Sequence, residues 1–295
     1  MKNLFPCPIT LAAALCTSLL ISCSSDLEMP PPPLNDEYSS SSPVGVSSSS
    51  LGGSSSSSSL EVSSSSSSSV ASSSSSDPCA GFVDGTKREH YGKDKAQFCD
   101  SRDGKKYVYV TIGGQVWMAE NLNYNATNSR CYDDNSGGDS QSNCAKYGRL
   151  YNWATAMANS ASSTANPSGV RGVCPSGWHL PSNAEWNVLM KFVNPSCSDN
   201  SFCAGAGTKL KATSGWNAYS VVPSGSDTYG FSALPGGYGN SDGYFYNAGN
   251  NGSWWSASED YSYGAYYRYM LYNFENVDYY YDDKCFLYSV RCLQD

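Results

Sequence analysis

A short acidic loop carries oxygen-bearing side chains at alternating positions. Asp133, Asn135 and Asp139 share this loop with Gly137, and a cysteine stands on either side of it. Calcium-binding loops present oxygen ligands in such a pattern, and a glycine lets the chain turn sharply between them. The loop lacks the closing glutamate of an EF-hand, so a solvated acidic loop is the alternative. The sequence predicts no cofactor other than this calcium ion.

Aromatic residues crowd the C-terminal part of the chain. Residues 254–281 hold eleven tryptophans and tyrosines in 28 positions, more than one small core can bury when alternate strand residues face outward. Exposed aromatic faces stack on sugar rings or contact another protein. Trp254 and Trp255 point to opposite sides if they lie in a strand, so at least one belongs to the core. The candidate ligand-binding residues are Trp254, Trp255, Tyr261, Tyr263, Tyr266, Tyr267, Tyr279, Tyr280 and Tyr281.

Few residues suit catalysis. Nucleophilic hydrolysis needs a base beside a serine or cysteine, but the one histidine in residues 104–295, His179, stands between two apolar residues and is interpreted as structural. A glycosidase needs two carboxylates that face each other across a cleft. The candidates are Glu120, Glu185, Glu259 and Asp260. Helix capping explains Glu185 and the end of a hairpin explains Glu120, so we name no catalytic residue.

Nine cysteines from position 79 onward are typical of an exported, oxidised domain. Their spacing predicts three local disulfides, which are Cys79 with Cys99, Cys131 with Cys144, and Cys197 with Cys203. A fourth is expected to reach the C-terminal strand, which leaves one cysteine over. The chain has no CxxC motif and only two histidines, so a zinc site is not expected.

The elements that position these residues include more strand than helix. Strands are predicted at 106–112, 115–118, 253–258, 266–272 and 286–293. The first two flank a Gly-Gly turn, which predicts a hairpin. Apolar residues three and four positions apart predict a helix over 149–159. A second helix follows Pro181, where Ser182 and Glu185 have the spacing of a capping box.

Composition divides the chain into unlike segments. Residues 39–76 contain 26 serines in 38 positions, too little apolar surface to offset the entropy of folding. We expect residues 23–77 to be a disordered linker that reaches about 40 Å, either a plain spacer or a glycosylated one. Residues 78–295 should form one globular unit, with a small disulfide-closed extension at 78–103 and a larger domain at 104–295.

The first 22 residues have the features of a signal peptide. They carry one basic residue, Lys2, and an apolar run at 9–21 that is too short to span a bilayer. The motif LISC, which ends at Cys23, resembles the lipobox of bacterial lipoproteins and implies a membrane anchor on acylated Cys23. Ser24 after the cysteine implies transfer to the outer membrane or cell surface. An ordinary secretory signal cleaved near Ser22 is the alternative.

Six motifs run in order through residues 104–295. They are IGGQVWMAENLNY, KYGRLYNWATAM, GVCPSGWHLPSNAEWNVLM, GFSALPGGYG, GSWWSASE and SVRCLQD. Together they resemble the Fibrobacter succinogenes major paralogous domain. This resemblance implies an exported bacterial surface protein from a large paralogous set, and it implies no particular activity.

A second resemblance concerns the fold. The segment GWHLPSNAEW and the terminal SVRC are similar to segments of formylglycine-generating-enzyme-like domains, which are variants of the C-type lectin fold. The resemblance implies an α+β domain in which two helices pack on a small, twisted, mostly antiparallel sheet, with long Gly- and aromatic-rich loops. It also implies a disulfide between Cys174 and Cys292. Oxidase chemistry is not implied, because those enzymes use a cysteine pair where this chain has only Cys285.

These observations lead to three functional expectations. The first is a surface-displayed lipoprotein with a lectin-like recognition or adhesion domain for glycan. The second is a structural or protein-interaction component of the cell envelope, and the third is an enzyme. The expected partners are a membrane, through the lipid anchor, and a polysaccharide or an envelope protein. Nucleic acid is excluded, because 21 acidic residues outnumber 17 basic ones from residue 77 onward and no basic patch is present.

Overall fold

A computed structural model of the chain describes residues 77–134, 140–222 and 225–295. The architecture is α+β and mostly sheet. The strands are β1 (Lys87–His90), β2 (Lys93–Cys99), β3 (Lys106–Ile112), β4 (Gln115–Met118), β5 (Leu150–Tyr151), β6 (Trp178–His179), β7 (Gly236–Gly239), β8 (Phe245–Ala248), β9 (Asn251–Tyr261), β10 (Gly264–Leu271), β11 (Asp278–Asp283), β12 (Tyr288–Ser289) and β13 (Leu293–Gln294). The helices are α1 (Ser140–Tyr147), α2 (Trp153–Met157), α3 (Asn183–Val193) and α4 (Ala206–Leu210). Within the described ranges, no helix has the length and apolar character needed to cross a bilayer.

Six strands form the first sheet, in the order β1-β2-β3-β4-β13-β6. All neighbours in this sheet pair antiparallel. Strand β13 lies between strands that are distant in sequence, and Leu293 is opposite both Trp117 and His179. The predicted extension at 78–103 supplies β1 and β2, which pair directly with β3. The extension therefore shares a sheet with the domain that follows it.

The predicted hairpin of β3 and β4 is confirmed. The strands pair up to Ile112 opposite Gln115, and Gly113 begins the turn with a φ of +62°. A Cβ atom at Gly113 would lie 2.9 Å from the ring of Phe192. Both the left-handed backbone and this close approach require glycine. The turn is thereby packed against α3.

The second sheet has the order β11-β10-β9-β12-β5, and β7 joins it through β9 and pairs with β8. Strands β9, β10 and β11 pair antiparallel, whereas β12 runs parallel to β9. The long strand β9 separates two hydrophobic clusters. Trp255 lies in the cluster that contains Tyr288, and Trp254 lies in the cluster that contains Trp186. The core therefore has two parts, one on each side of β9.

The two predicted helices are α2 and α3. Helix α3 begins with the predicted capping box, in which Ser182 and Glu185 each accept the backbone N–H of the other. Helix α2 is shorter than the predicted 149–159, because the two residues before Asn152 are held in β5 by pairing with β12. Asn152 caps the start of α2, and Ala158 ends it in the left-handed region. The short helices α1 and α4 are not predicted by the pattern.

Two of the predicted C-terminal strands are confirmed and the third is divided. The segments 253–258 and 266–272 correspond to β9 and β10. The segment 286–293 contains β12, in the second sheet, and the start of β13, in the first, because the chain crosses between the sheets there. The sequence pattern does not predict β11, whose Asp-Tyr-Tyr-Tyr-Asp-Asp sequence shows no alternation of apolar and polar residues.

Four disulfides close the described domain. They are Cys79–Cys99, Cys131–Cys144, Cys174–Cys292 and Cys197–Cys203. The pairs agree with the spacing of the local cysteines and with the resemblance to the lectin-like fold. The Cys174–Cys292 bridge joins residues 118 positions apart and ties the segment before β6 to the residue before β13. Cys285 is the ninth of these cysteines, and its backbone N–H donates to Oδ1 of Asp283 at 2.8 Å.

Candidate functional site

Part of the predicted chemistry lies outside the described residues. This holds for the signal peptide, the acylated Cys23, the serine-rich linker, and Asn135 and Asp139 of the acidic loop. Asp133 is described, and its backbone is in the left-handed region with a φ of +66°. Among the residues that the structure describes, no group of three or more His, Cys, Asp or Glu side chains could hold a metal ion. Calcium binding by the loop stays a prediction, which calorimetric titration with millimolar calcium would test.

Three of the predicted ligand-binding aromatics are buried, which corrects their assignment. Trp254 and Trp255 face opposite sides of β9, and each fills one of the two hydrophobic clusters. Their indole N–H groups donate to Oδ1 of Asn121 at 2.8 Å and to the carbonyl of Tyr151 at 2.7 Å. Tyr267 is buried with its ring centroid 6.1 Å from that of Trp255. These three residues stabilise the core and are not available to a ligand.

The other six predicted tyrosines form one region, named here the tyrosine surface. Its members are Tyr261, Tyr263, Tyr266, Tyr279, Tyr280 and Tyr281. They lie at the outer end of the β9–β10 hairpin and on the edge strand β11. Strand pairing places Tyr266 opposite Tyr281. Tyr279, two residues before Tyr281 on the same face of β11, is opposite Arg268. Tyr261, the most exposed of the six, is 55% exposed.

The rings of the tyrosine surface form a continuous chain. The centroid distances are 5.9 Å for Tyr263 and Tyr261, 5.9 Å for Tyr261 and Tyr281, 6.4 Å for Tyr281 and Tyr266, and 6.0 Å for Tyr266 and Tyr279. Tyr280 joins the chain beside Tyr281, at 4.9 Å. The first pair is nearly parallel, at 18°, whereas the next two pairs are nearly perpendicular, at 80° and 87°. Stacked and edge-to-face pairs are both favourable arrangements of aromatic rings. The rings therefore do not share one plane, and contacts between the rings stabilise their arrangement.

A buried arginine supports the inner end of the tyrosine surface. Arg268 is 1% exposed, and its guanidinium lies 5.0 Å from the centroid of the Tyr279 ring. It donates a hydrogen bond of 2.6 Å to Oδ1 of Asn183, at the start of α3. Burial lowers the pKa of Arg268 to about 10, so the group stays protonated at neutral pH. Arg268 thus ties β10 to α3 while its own charge is kept away from solvent.

Two phenol groups of the surface, those of Tyr266 and Tyr281, are protonated at neutral pH. The Tyr266 hydroxyl donates to Asp260, and this hydrogen bond, together with burial, raises the pKa of Tyr266 to about 12. The neighbouring Tyr280 raises the pKa of Tyr281. A protonated phenol is both a donor and an acceptor of hydrogen bonds. The tyrosine surface therefore offers ring faces and hydroxyl groups side by side, next to a carboxylate.

Each of the four carboxylates considered for glycosidase chemistry has a partner of its own. These partners are Arg88 for Glu120 at 2.6 Å, His179 for Glu185 at 2.9 Å, Lys284 for Glu259 at 2.5 Å, and Tyr266 for Asp260. Each carboxylate is thus engaged in a contact of its own. The arrangement suits structural roles better than the acid and base of a hydrolase.

His179 lies in the wall of a cavity of about 550 Å³. Its Nε2 is 2.9 Å from Oε1 of Glu185, and its Nδ1 is 2.7 Å from Oδ1 of Asp295. Burial alone lowers the pKa of His179, but the hydrogen bonds to the two carboxylates outweigh it and raise the pKa above 6.5. Both ring nitrogens are engaged, so His179 links α3 to the end of β13 and is not placed to act as a base.

A second cavity, of about 530 Å³, lies between β1, β3 and the end of α1. Arg88 and Glu120 form an ion pair in its wall. His90 stands 3.3 Å from the carbonyl of Ala119. Burial and the nearby Lys95 lower the pKa of His90 to about 3, so this ring is neutral. The Arg88 charge is thus balanced within the wall by Glu120.

Sequence reasoning named Asp260 only as a candidate carboxylate and did not name Asp295, so it missed the contacts that these two residues make. Asp260 holds the Tyr266 hydroxyl, and its place directly before Tyr261 is the signal that could have identified it. Asp295 holds His179 from 116 positions away. No local pattern connects residues so far apart in the chain.

Comparison with known proteins concerns most of the described domain. The family model of the Fibrobacter succinogenes major domain matches residues 110–294. These residues run from β3 to β13 and include both the tyrosine surface and His179. Searches of curated proteins and of solved structures found no match to the chain. The matched segment is more than half of the chain, so the chain belongs to the Fibrobacter succinogenes major domain family.

Proposed function

We propose that this domain is a recognition module that binds glycan through the tyrosine surface. The observation that carries the proposal is the continuous chain of tyrosine rings on an edge hairpin, with Tyr261, Tyr263 and Tyr280 between 43% and 55% exposed. Aromatic faces pack against the apolar faces of sugar rings, and phenol groups exchange hydrogen bonds with sugar hydroxyls. Both kinds of group are present within one small region.

A C-type lectin-like fold is part of this proposal. Strand β13 lies between β4 and β6, which brings the end of the domain beside its first hairpin. The Cys174–Cys292 disulfide and the two helices α2 and α3 agree with the arrangement that the resemblance implies. Activity does not follow from a fold. The glycan assignment therefore depends on the tyrosine surface alone.

The proposal also includes display outside the cell. A signal peptide, an acyl anchor on Cys23 and a serine-rich linker would hold the domain clear of the outer membrane, within reach of external polysaccharide. Four disulfides in the described domain support an oxidising compartment.

A protein-interaction component of the envelope is the second candidate function. The openness of the tyrosine surface favours it, because neither of the two cavities is lined by these tyrosines. Tyrosine-rich open surfaces are typical of protein interfaces. An enzyme comes third, because the carboxylates that it would use are engaged with other partners.

A binding screen with matched variants tests the proposal. The full chain, purified in detergent, is applied to a glycan array and to insoluble polysaccharides. Tyr261→Ala is expected to weaken glycan binding about tenfold, because losing one ring contact costs about 1.4 kcal/mol. Tyr244→Ala is the control, because Tyr244 is 64% exposed but lies outside the tyrosine surface.

The outcomes separate the two candidate functions. Binding that Tyr261→Ala weakens and Tyr244→Ala leaves unchanged supports a glycan-recognition module. If no glycan is retained and an envelope protein co-purifies with wild type but not with Tyr261→Ala, the protein-interaction function replaces it.

A further inference from the structure

We infer that the tyrosine surface takes an isolated, uncharged polysaccharide chain, and neither the face of a crystalline polysaccharide nor an acidic polysaccharide. The inference rests on the proposed function and specifies the ligand class of the same site. Two independent features carry it, namely the directions of the ring planes and the charge that borders them.

The ring planes do not form a flat platform. A crystalline polysaccharide presents a flat face, so several rings must share one plane to bind it. Tyr281 lies in the middle of the chain of rings, and its plane makes angles of 80° with Tyr261 and 87° with Tyr266. Tyr281 is stacked on Tyr280, with centroids 4.9 Å apart and planes at 11°, but it stands nearly perpendicular to Tyr261 and Tyr266. The pair of Tyr280 and Tyr281 therefore interrupts a common plane. A single chain can twist and follow such steps, whereas a crystal face cannot.

The segment that carries the tyrosine surface has an excess of acidic residues. Residues 259–284 contain six acidic residues and two basic ones. The first cation, Arg268, is 1% exposed and is bound to α3. The second, Lys284, forms an ion pair of 2.5 Å with Glu259, and 18% of its side chain is exposed. Because neither cation is free to meet a ligand, the surface repels a polymer of negative charges.

The hydrogen-bonding groups suit uncharged hydroxyls. A carboxylate accepts hydrogen bonds from hydroxyl groups, and a protonated phenol donates or accepts them. Asp260 already holds the Tyr266 hydroxyl, so carboxylate and phenol lie together beside the rings. Recognition of this kind needs no charge on the ligand. An uncharged chain therefore gains the ring contacts without the cost of repulsion.

Polysaccharides that share a backbone but differ in charge test the inference. The soluble pairs are hydroxyethylcellulose with carboxymethylcellulose, arabinoxylan with glucuronoxylan, and highly methyl-esterified pectin with polygalacturonate. Microcrystalline cellulose and crystalline chitin represent flat faces. Binding of the full chain is measured at low and at physiological salt, with Tyr261→Ala as the site variant and Tyr244→Ala as its control. Asp260→Asn is the charge variant, because it removes one charge and keeps an oxygen that can accept from Tyr266.

The expected result is binding to the uncharged member of at least one pair, at least tenfold tighter than to its acidic partner. This binding should change less than twofold with salt, because no charge pair is made, and Tyr261→Ala should reduce it about tenfold. Asp260→Asn should lower the preference for the uncharged partner over the acidic one several-fold, because it removes one negative charge from the surface.

Two other results overturn the inference in distinguishable ways. If binding depends on Tyr261 but is tightest to an acidic polysaccharide or to a crystalline face, the assigned ligand class is wrong and glycan recognition is still supported. If no polysaccharide shows binding that depends on Tyr261, both the inference and the proposed function are refuted.

Discussion

Replacing His179 with glutamine tests whether a buried imidazolium joins the end of β13 to α3. In the folded protein His179 lies between Glu185 of α3 and Asp295 after β13, at 2.9 Å and 2.7 Å. Glutamine has a similar length and stays neutral at every pH. The substitution therefore removes the positive charge with little change in volume.

The size of the effect follows from how far each of the two carboxylates is buried. Glu185 is 1% exposed, and removing one partner of a buried ion pair costs about 3–5 kcal/mol. Glu185 keeps the backbone N–H groups of Ser168 and Ser182, at 3.1 Å and 2.9 Å, so the lower end of this range applies. The side chain of Asp295 is 62% exposed, and its contact adds less than about 1 kcal/mol. We expect His179→Gln to lower the free energy of unfolding by about 3 kcal/mol.

The loss should depend on pH in a defined direction. The folded-state pKa of His179 is raised above the ordinary 6.5, so the folded protein binds a proton that the unfolded chain has released. The stabilisation is fully present below pH 6.5 and is lost as pH rises through the folded pKa. Between the two values the slope is about 1.4 kcal/mol per pH unit. The cost of His179→Gln should therefore be larger in mild acid than in mild alkali.

Urea unfolding followed by tryptophan fluorescence, with the disulfides intact, measures this effect. The difference between wild type and variant is taken at about pH 5.5 and about pH 9, which cancels groups that titrate in both proteins. Asp295→Asn is the matched control, because it removes only the exposed contact and should cost less than about 1 kcal/mol. A cost of His179→Gln below about 1 kcal/mol in acid, or an equal cost at both pH values, refutes the imidazolium link.

Three further predictions concern stability. Trp255→Ala should cost about 3–5 kcal/mol in urea unfolding, because it empties part of a buried cluster; a cost below about 1 kcal/mol would contradict the burial. Gly113→Ala should lower Tm, because of the positive φ and the nearby Phe192 ring, whereas Gly114→Ala, with open space around it, should not. Paired serine substitutions should cost about 5 kcal/mol at the 174–292 bridge and about 2 kcal/mol at the 197–203 bridge, because the closed loops differ in length. Equal losses at the two bridges would count against the loop-length argument.

Local signals were sufficient for part of the fold. The Gly-Gly turn identified the hairpin of β3 and β4, and the spacing of Ser182 and Glu185 identified the start of α3. Pairing between strands that are distant in sequence determined the other elements. Leu150 fits a helical pattern but lies in β5, because β12 pairs with it there. The segment 286–293 divides between two sheets, and no local pattern specifies which sheet a short strand enters.

The residue types of the candidate site were predictable from the sequence, but the solvent exposure of each residue was not. The density of tyrosines after residue 260 located the surface, while the burial of both Trp254 and Trp255 depends on β9 having a core on each side. The sequence also gave no indication of the contacts that buried charged residues make. Arg291 is fully buried and donates to Oδ1 of Asn121 at 2.7 Å, across 170 positions. Arginine ordinarily indicates exposure, so a pattern of polar and apolar residues does not place it in the core.

The division between core and tyrosine surface follows from the place of each strand in the second sheet. β9 and the inner half of β10 are covered on both faces, so Trp255 and Tyr267 are buried there. β11 is the edge strand, and Tyr280, opposite Tyr267 in the register, remains 43% exposed. A ligand can therefore contact the edge without disturbing the core. Tyr280→Ala should alter binding while changing stability by less than about 0.5 kcal/mol, whereas Tyr267→Ala should cost about 3 kcal/mol or more. If both substitutions destabilised the domain equally, the edge tyrosines would belong to the core, and the tyrosine surface would not be a ligand-binding site.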